Sequence, residues 1–190
     1  VRAWSLLPGL IEPLSIRTVL LPESLVTAAT LEPAGTHARL LALLRQQRLN
    51  IRVVATDDRF TVGAATCELM DTGDDSPRTL LPRLTIPTTA GPRRVLLASA
   101  VTYPRLADAA SPAEILILPR AVRQADKPGD LLLRIEPSII VHTGPRPDAR
   151  ALLDRLGPRH PRLHLTSLGA SSVLIGQDGR LSSIDYQTNP

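Results

Sequence analysis

The sequence predicts an α/β fold with a mixed sheet, built as one compact domain over residues 1–190. Three observations support this prediction. Aliphatic and β-branched strands alternate with helical segments in the first and last parts of the chain, as in βαβ units. The middle part instead has strands joined by tight turns, which is typical of an antiparallel meander. No repeat or linker divides the chain, and 190 residues are enough to bury a substantial core.

The first part of the chain predicts a βαβ unit. Residues 36–50 have the strongest helical pattern, with Thr36 as a cap and an apolar stripe of Leu40, Leu43, Leu44 and Leu49. A strand at residues 15–22 precedes this helix, and a buried strand at residues 51–54 follows it with a right-handed crossover. A short helix interrupted by prolines is predicted at residues 6–14.

The rest of the chain predicts a meander followed by α/β alternation. Two short strands flank Gly63 within residues 58–70, and a Thr/Gly/Pro turn joins two further strands. The last segment is a hairpin whose turn contains Asp178 and Gly179. The two strands joined by the Thr/Gly/Pro turn lie at 78–86 and 93–99. The other predicted strands lie at 114–119, 138–144 and 162–167, and the predicted helices lie at 103–110, 129–137 and 147–158.

Composition limits the classes of function only loosely. Hydrophobic residues make up 43% of the chain and aromatic residues 2%, so the core is expected to be aliphatic. The net charge is +4 and Lys127 is the only lysine, so the positive charge is carried by arginine, which suits phosphate contacts. A solvated basic surface explains the same charge without a ligand. Cys67 stands alone, which excludes an intrachain disulfide and a thiolate metal cluster.

No apolar run is long enough for a membrane span, and we expect no signal peptide. The chain begins at Val1 within what reads as the middle of an element. We therefore expect a soluble piece of a longer protein.

The predicted strand ends carry little chemistry. The apolar strand at residues 114–119 is followed by Arg120, Ala121, Val122 and Arg123, although ligands usually bind at the carboxyl ends of such strands. His142 ends the next strand, and a triad with a serine and Asp148 lacks the usual nucleophile elbow.

Other chemical patterns have simpler explanations. The spacing of His160 and His164 suits a metal only on a helix, and Pro161 makes that segment a loop entering a strand. The acidic segment at residues 71–75 is explained by turn chemistry, with a hard-cation site as the alternative. The glycines of "GQDG" lie in the predicted hairpin, so they do not form a phosphate loop.

The order of elements resembles one known family. The frame consists of "LLPGLIEPLSIRTVLLP", "ALLRQQRLNIRVVATDDRF", "LPRLTIPTTAGPRRVLLAS", "PAEILILPRAVR", "EPSIIVHTG" and "GASSVLIGQDGR". In this order it resembles the metallo-β-lactamase-like domain at the carboxyl end of ComEC-type DNA internalisation (competence) proteins. The resemblance implies an αββα sandwich with mixed sheets, here with an incomplete N-terminal part, in a membrane-associated DNA-uptake protein. It places the domain on the extracytoplasmic side, beside the membrane channel part of the parent protein.

The family's metal-ligand positions are not matched in this chain. Its D-H-x-G-G motif falls on residues 2–6, its bridging aspartate on Ala100 after Ser99, and its paired histidines on Arg120 and Ala121. A serine of the family corresponds to His142. Metal-dependent hydrolysis needs such ligands to generate the nucleophile, so the resemblance implies a pseudoenzyme without a metal or other cofactor.

Three functions remain open at this stage. In the first, the vacated metal site is a basic cleft that binds DNA phosphate weakly or serves only architecture; its residues are Arg120, Arg123, Ser99 and His142, with Arg93, Arg94 and Arg146 as further basic contacts. In the second, the domain is a metal-dependent hydrolase or nuclease with rearranged ligands, using His142 with Asp148 or the segment 71–75. In the third, it is an unrelated α/β protein-interaction domain.

Overall fold

The computed structural model describes residues 11, 13–70, 80–98, 111–118, 128–143 and 161–187. The chain consists of two compact units. Unit 1 takes in Val1–Thr56 and Asp74–Arg78, and unit 2 takes in Asp57–Gly73 and Thr79–Pro190. The helices predicted at 103–110 and 147–158 lie outside the described residues, as do six of the nine residues of the helix predicted at 6–14.

Unit 1 is a βααβ arrangement. Strand β1 (Thr18–Pro22) leads into helix α1 (Glu23–Leu31), helix α2 (Thr36–Gln46) and strand β2 (Asn50–Val54). The two strands pair in parallel, from Thr18 opposite Asn50 to Pro22 opposite Val54. The predicted parallel unit is therefore confirmed, but two helices connect its strands where one was predicted.

The core of unit 1 is aliphatic and lies between the helices and the strands. Three details of the prediction are wrong. Gly35, not Thr36, precedes the first turn of α2, and no side chain caps that turn. The buried leucines of α2 include Leu41, while Leu43 is only half-buried. Strand β2 is largely exposed, and Val54 is its one buried residue among those described. The buried core residues are Leu21, Leu25, Ala29, Leu40, Leu41 and Leu44.

Unit 2 contains a seven-stranded mixed sheet in the order β3-β4-β5-β6-β7-β8-β9. The first four strands form the predicted antiparallel meander, and β6 to β9 pair in parallel. Helix α3 (Pro128–Ile135) precedes β8. The strand bounds are β3 Arg59–Val62, β4 Ala65–Met70, β5 Leu81–Ile86, β6 Arg93–Leu97, β7 Ile115–Leu118, β8 Ile139–His142 and β9 Arg162–Leu165.

The two faces of this sheet bury different layers. Because side chains alternate along a strand, Leu96, Leu116 and Ile140 form a row on one face, where they pack with Ile135 of α3. Val95, Ile115 and Ile139 form the neighbouring row on the other face. A hairpin of β10 (Gly169–Ile175) and β11 (Leu181–Gln187) covers that second face through Val173, Ile175 and Leu181. The central parallel strands are therefore apolar on both sides.

The turn of the hairpin is anchored to the turn between β5 and β6. The Thr89 amide donates to the Gln177 carbonyl at 2.8 Å, and Arg93 Nε donates to the Gly179 carbonyl at 2.8 Å. Gly179 has a φ of +77°, and an added Cβ would lie 2.9 Å from Thr88 Oγ1 and 3.0 Å from Arg93 Nη2. Backbone conformation and close packing therefore both require glycine here.

We expect Gly179→Ala to lower the free energy of unfolding by about 1.5 kcal/mol, since it combines backbone strain with displacement of the Arg93 side chain. Gly63→Ala is the matched control, because Gly63 also has a positive φ, +60°, but nothing within 4 Å of its added Cβ. The control is expected to cost about 1 kcal/mol from strain alone. Urea unfolding measures both, and equal losses would contradict the steric part.

Candidate functional site

The carboxyl ends of the parallel strands in unit 2 meet at one edge of the sheet. Leu118 at the end of β7 pairs with His142 at the end of β8, and His142 pairs with Leu165 at the end of β9. This is the edge where α/β proteins usually place their ligands. The ends of these three strands therefore lie together, with His142 in the middle of them.

His142 belongs to the core rather than to a solvent-filled cleft. Its side chain is 0% exposed. It projects from the same face of β8 as Ile140, which packs in the core between the sheet and α3. His142 is therefore placed as a buried polar residue beneath the edge.

Threonine hydroxyls bind the backbone carbonyls at this edge. Thr143 donates both its amide and its Oγ1 to the Leu118 carbonyl, each at 3.0 Å. Thr166 Oγ1 donates to the His142 carbonyl at 3.4 Å. These bonds tie β7, β8 and the segment after β9 together, so hydroxyl groups stabilise strand ends where a hydrolase would present acids and imidazoles.

Arg93 and Arg94 lie at the other end of the sheet. They are the first residues of β6, whereas Ser99 follows the end of that strand. Glu114 accepts a hydrogen bond from the Arg94 amide at 2.6 Å and lies 3.8 Å from Arg93 Nη1. The structure therefore does not bring Arg93 and Arg94 together with His142.

The remaining residues proposed for the site lie outside the described part of the chain. These are Ser99, Arg120, Arg123 and Arg146, and also Asp148, His160 and the acidic segment 71–75. Their chain positions alone relate them to the edge, since Arg120 comes two residues after β7 ends and Arg146 four residues after β8 ends.

A second polar group was missed by sequence reasoning. His164 of β9 is 7% exposed, and its Nδ1 lies 2.7 Å from Oδ1 of Asp185 on β11, whose side chain is 56% exposed. The pair thus links the hairpin to the sheet. His164 Nε2 is buried and has no hydrogen-bond partner among the described residues. A small pocket of about 130 Å³ adjoins the pair, lined by Leu163, His164, Leu165, Leu168, Gly169, Ala170, Ser171 and Asp185.

Solved structures with similar folds are metallo-β-lactamase-fold proteins. A candidate metal-dependent hydrolase of Parabacteroides distasonis aligns at a TM-score of 0.48 and 16% identity, over 65% of this chain and 60% of that one. YhfI, a metallo-β-lactamase fold protein from Bacillus subtilis, aligns at 0.45 and 12%, over 70% and 55%. A variant of CmlA, a diiron β-hydroxylase from Streptomyces venezuelae, aligns at 0.51 and 12%, over 89% of this chain and 39% of CmlA.

The chain is similar in fold to these proteins. Its mixed sheet and its helices confirm the predicted α/β class. At such low identity the likeness concerns the fold alone. The chain spans about 39% to 60% of the length of these structures. No protein-family model matches the sequence, and no curated protein matches it either.

The described residues do not assemble a metal centre. Within the described ranges, no three His, Cys, Asp or Glu side chains lie close enough together to hold a metal ion. Among the described residues of the carboxyl edge, the donors are a fully buried imidazole and two threonine hydroxyls already bound to carbonyls. Zinc and iron sites use imidazole, carboxylate or thiolate ligands. The described part of this edge therefore offers one buried imidazole, with no carboxylate or thiolate beside it.

Proposed function

We propose that this chain is a non-catalytic metallo-β-lactamase-fold module that binds DNA phosphate at the carboxyl edge of its parallel strands. The observation that supports this most directly is the donor set at that edge, with His142 buried and the hydroxyls of Thr143 and Thr166 engaged with carbonyls. Such groups stabilise strand ends, but they do not activate a metal-bound water.

Arginines supply the positive charge in this proposal. Arg120 and Arg123 come two and five residues after β7, and Arg146 comes four residues after β8, so all three follow strands whose ends meet at the edge. A guanidinium binds a phosphate through two parallel hydrogen bonds and needs no metal. Arg93 and Arg94 are left out of this set, because they begin β6 at the opposite end of the sheet.

The parent protein in this proposal is a ComEC-type DNA-uptake protein. The module then lies on the extracytoplasmic side beside the membrane channel part of the same protein, and competence is the process that it serves. Among the described helices, none is both long and apolar enough to cross a membrane. Membrane association belongs, in this proposal, to the rest of the parent protein.

The test is DNA binding by Arg120→Gln/Arg123→Gln, measured by fluorescence anisotropy with single-stranded and duplex oligonucleotides. We expect binding to weaken about tenfold at low salt, and the slope of log affinity against log salt to fall by about 2, because two phosphate contacts are lost. Arg162→Gln/Arg180→Gln is the matched control, since it removes the same charge from two exposed positions away from this edge.

Two results would contradict the proposal. Equal affinities of the edge variant and the control variant would show that only net charge matters. A stoichiometric transition metal in the purified protein, with nuclease activity in manganese or zinc, would instead favour the hydrolase with rearranged ligands.

A further inference from the structure

The end of helix α2 in unit 1 has an arginine where a helix favours glycine. The Leu49 amide donates to the Leu44 carbonyl at 3.2 Å, and the Arg48 amide donates to the Arg45 carbonyl at 2.9 Å. These two bonds form a Schellman motif, in which the residue after the cap adopts a left-handed conformation and is usually glycine. Here that residue is Arg48, with a φ of +55°.

Two other arginines lie at the same end of unit 1. Arg45 is in the last turn of α2, and Arg17 directly precedes β1. The Asn50 amide donates to the Arg17 carbonyl at 2.9 Å, which places Arg17 beside the chain that leaves α2. All three arginine side chains are exposed, and none has an ion-pair partner among the described residues. We refer to Arg17, Arg45 and Arg48 as the α2-end cluster.

The described acids of unit 1 lie away from the α2-end cluster. Glu23 follows the far end of β1, and Glu32 comes before α2 begins. A strand of five residues and a helix of eleven each separate their ends by about 13 to 15 Å. Charges at that distance are largely screened at physiological salt, where the Debye length is about 8 Å. These two acids therefore leave the positive potential of the cluster largely intact.

We propose that the α2-end cluster is a second contact surface for nucleic acid, independent of the strand edge in unit 2. The choice of nucleic acid as the ligand rests on the proposed function, but the residues of this surface lie in unit 1, whereas the strand edge lies in unit 2. Three guanidinium groups that have no acidic partner in the described part of the chain fit the phosphates of a nucleic-acid backbone. An anionic membrane fits less well, because the apolar stripe of α2, Leu40, Leu41 and Leu44, is buried in the core and is not available to insert.

Arg48→Gly separates binding from a purely structural role. Cations near a helix C-terminus stabilise the helix, and this alone would explain Arg45 and Arg48. Glycine, however, relieves the left-handed conformation at residue 48, so we expect the melting temperature of Arg48→Gly to rise. Nucleic-acid binding by the same variant should weaken at least twofold. A more stable protein with weaker binding would show that Arg48 contributes to nucleic-acid binding and not to the stability of the helix.

Three double variants complete the test. Their binding to one duplex and one single-stranded oligonucleotide is measured by fluorescence anisotropy. Arg45→Gln/Arg48→Gln should weaken binding about fivefold and lower the salt slope by about 2, while the control Arg162→Gln/Arg180→Gln has a much smaller effect. If Arg120→Gln/Arg123→Gln weakens binding but the α2-end variant behaves like the control, the further inference fails and the proposed function stands. If only the α2-end variant weakens binding, the edge proposal fails and the α2-end surface stands.

A vesicle-binding assay tests the alternative ligand, an anionic lipid membrane. Wild-type protein and Arg45→Gln/Arg48→Gln are incubated with vesicles containing phosphatidylserine and sedimented. Loss of vesicle binding with unchanged oligonucleotide binding would overturn the inference in favour of a lipid surface. Unchanged vesicle binding together with weaker oligonucleotide binding supports it.

Discussion

Leu116→Ala is expected to lower the free energy of unfolding by about 3 kcal/mol, within the range of about 2 to 5 kcal/mol for buried leucines. Leu116 is 0% exposed and lies in β7, between the paired residues Leu96 of β6 and Ile140 of β8. Its side chain also faces the layer that contains Ile135 of α3. Sheet neighbours on both sides restrict relaxation into the cavity, so most of the lost contact is not recovered.

Leu133→Ala is the control for this prediction. Leu133 lies on α3 of the same unit, and its side chain is 76% exposed, so the same truncation removes little packing. Urea unfolding should show a lower midpoint for Leu116→Ala with an unchanged slope, and a change below about 0.5 kcal/mol for Leu133→Ala. Comparable losses in the two variants would show that β7 is not the centre of the core.

The parallel strands of unit 2 were predictable because they are apolar on both faces. "ILIL" and "IIVH" show no alternation, as expected for strands covered by helix on one side and hairpin on the other. The same rule failed for β2, whose "IRVV" is apolar apart from Arg52, yet the strand is largely exposed in unit 1. Helix α1 was missed because Val26, Thr27 and Thr30 are residues that favour strands, and its burial against α2 outweighs their preference.

Only part of the candidate site was predictable. The position of His142 followed from the end of an apolar strand, but its burial depends on which face of β8 it occupies. Arg93 and Arg94 were grouped with the strand ends by charge, although they begin their strand. The contact between His164 and Asp185 joins residues 21 positions apart on different sheets, and no local pattern marks such a pair.

Glu68→Ala is expected to destabilise unit 2 by about 2 to 3 kcal/mol. Arg59, Glu68 and Arg83 occupy paired positions on β3, β4 and β5, so one carboxylate lies between two guanidinium groups. Arg59 Nη2 lies 2.7 Å from Glu68 Oε1, Arg83 Nη2 binds Oε2, and Arg83 Nη1 donates to Ser111 Oγ at 2.5 Å. The Glu68 side chain is 15% exposed and the Arg83 side chain 23%. The free-energy cost of breaking their ion pair should therefore lie between the costs for surface pairs and for buried pairs.

Arg59→Ala provides the matched comparison, because it removes the exposed partner of the same carboxylate. The Arg59 side chain is 68% exposed, so its loss should cost only about 0.5 kcal/mol. Arg83→Ala should cost nearly as much as Glu68→Ala, and the double variant should cost much less than the sum, because either single change leaves a mostly buried charge. Additive effects in this cycle would contradict a coupled pair.

The pH dependence of Glu68→Gln tests the same contact independently of truncation. Hydrogen bonds from Arg59 and then Arg83 hold the pKa of the Glu68 carboxyl below its ordinary value, so the folded state favours the ionised form. This stabilisation is fully present above the unfolded pKa of about 4.3, and it is lost as the pH falls through the lower folded value. The stability difference between wild type and Glu68→Gln should therefore be constant near neutral pH and shrink below about pH 4. A difference that persists undiminished into acid would mean that Glu68 stabilises the sheet by packing rather than by charge.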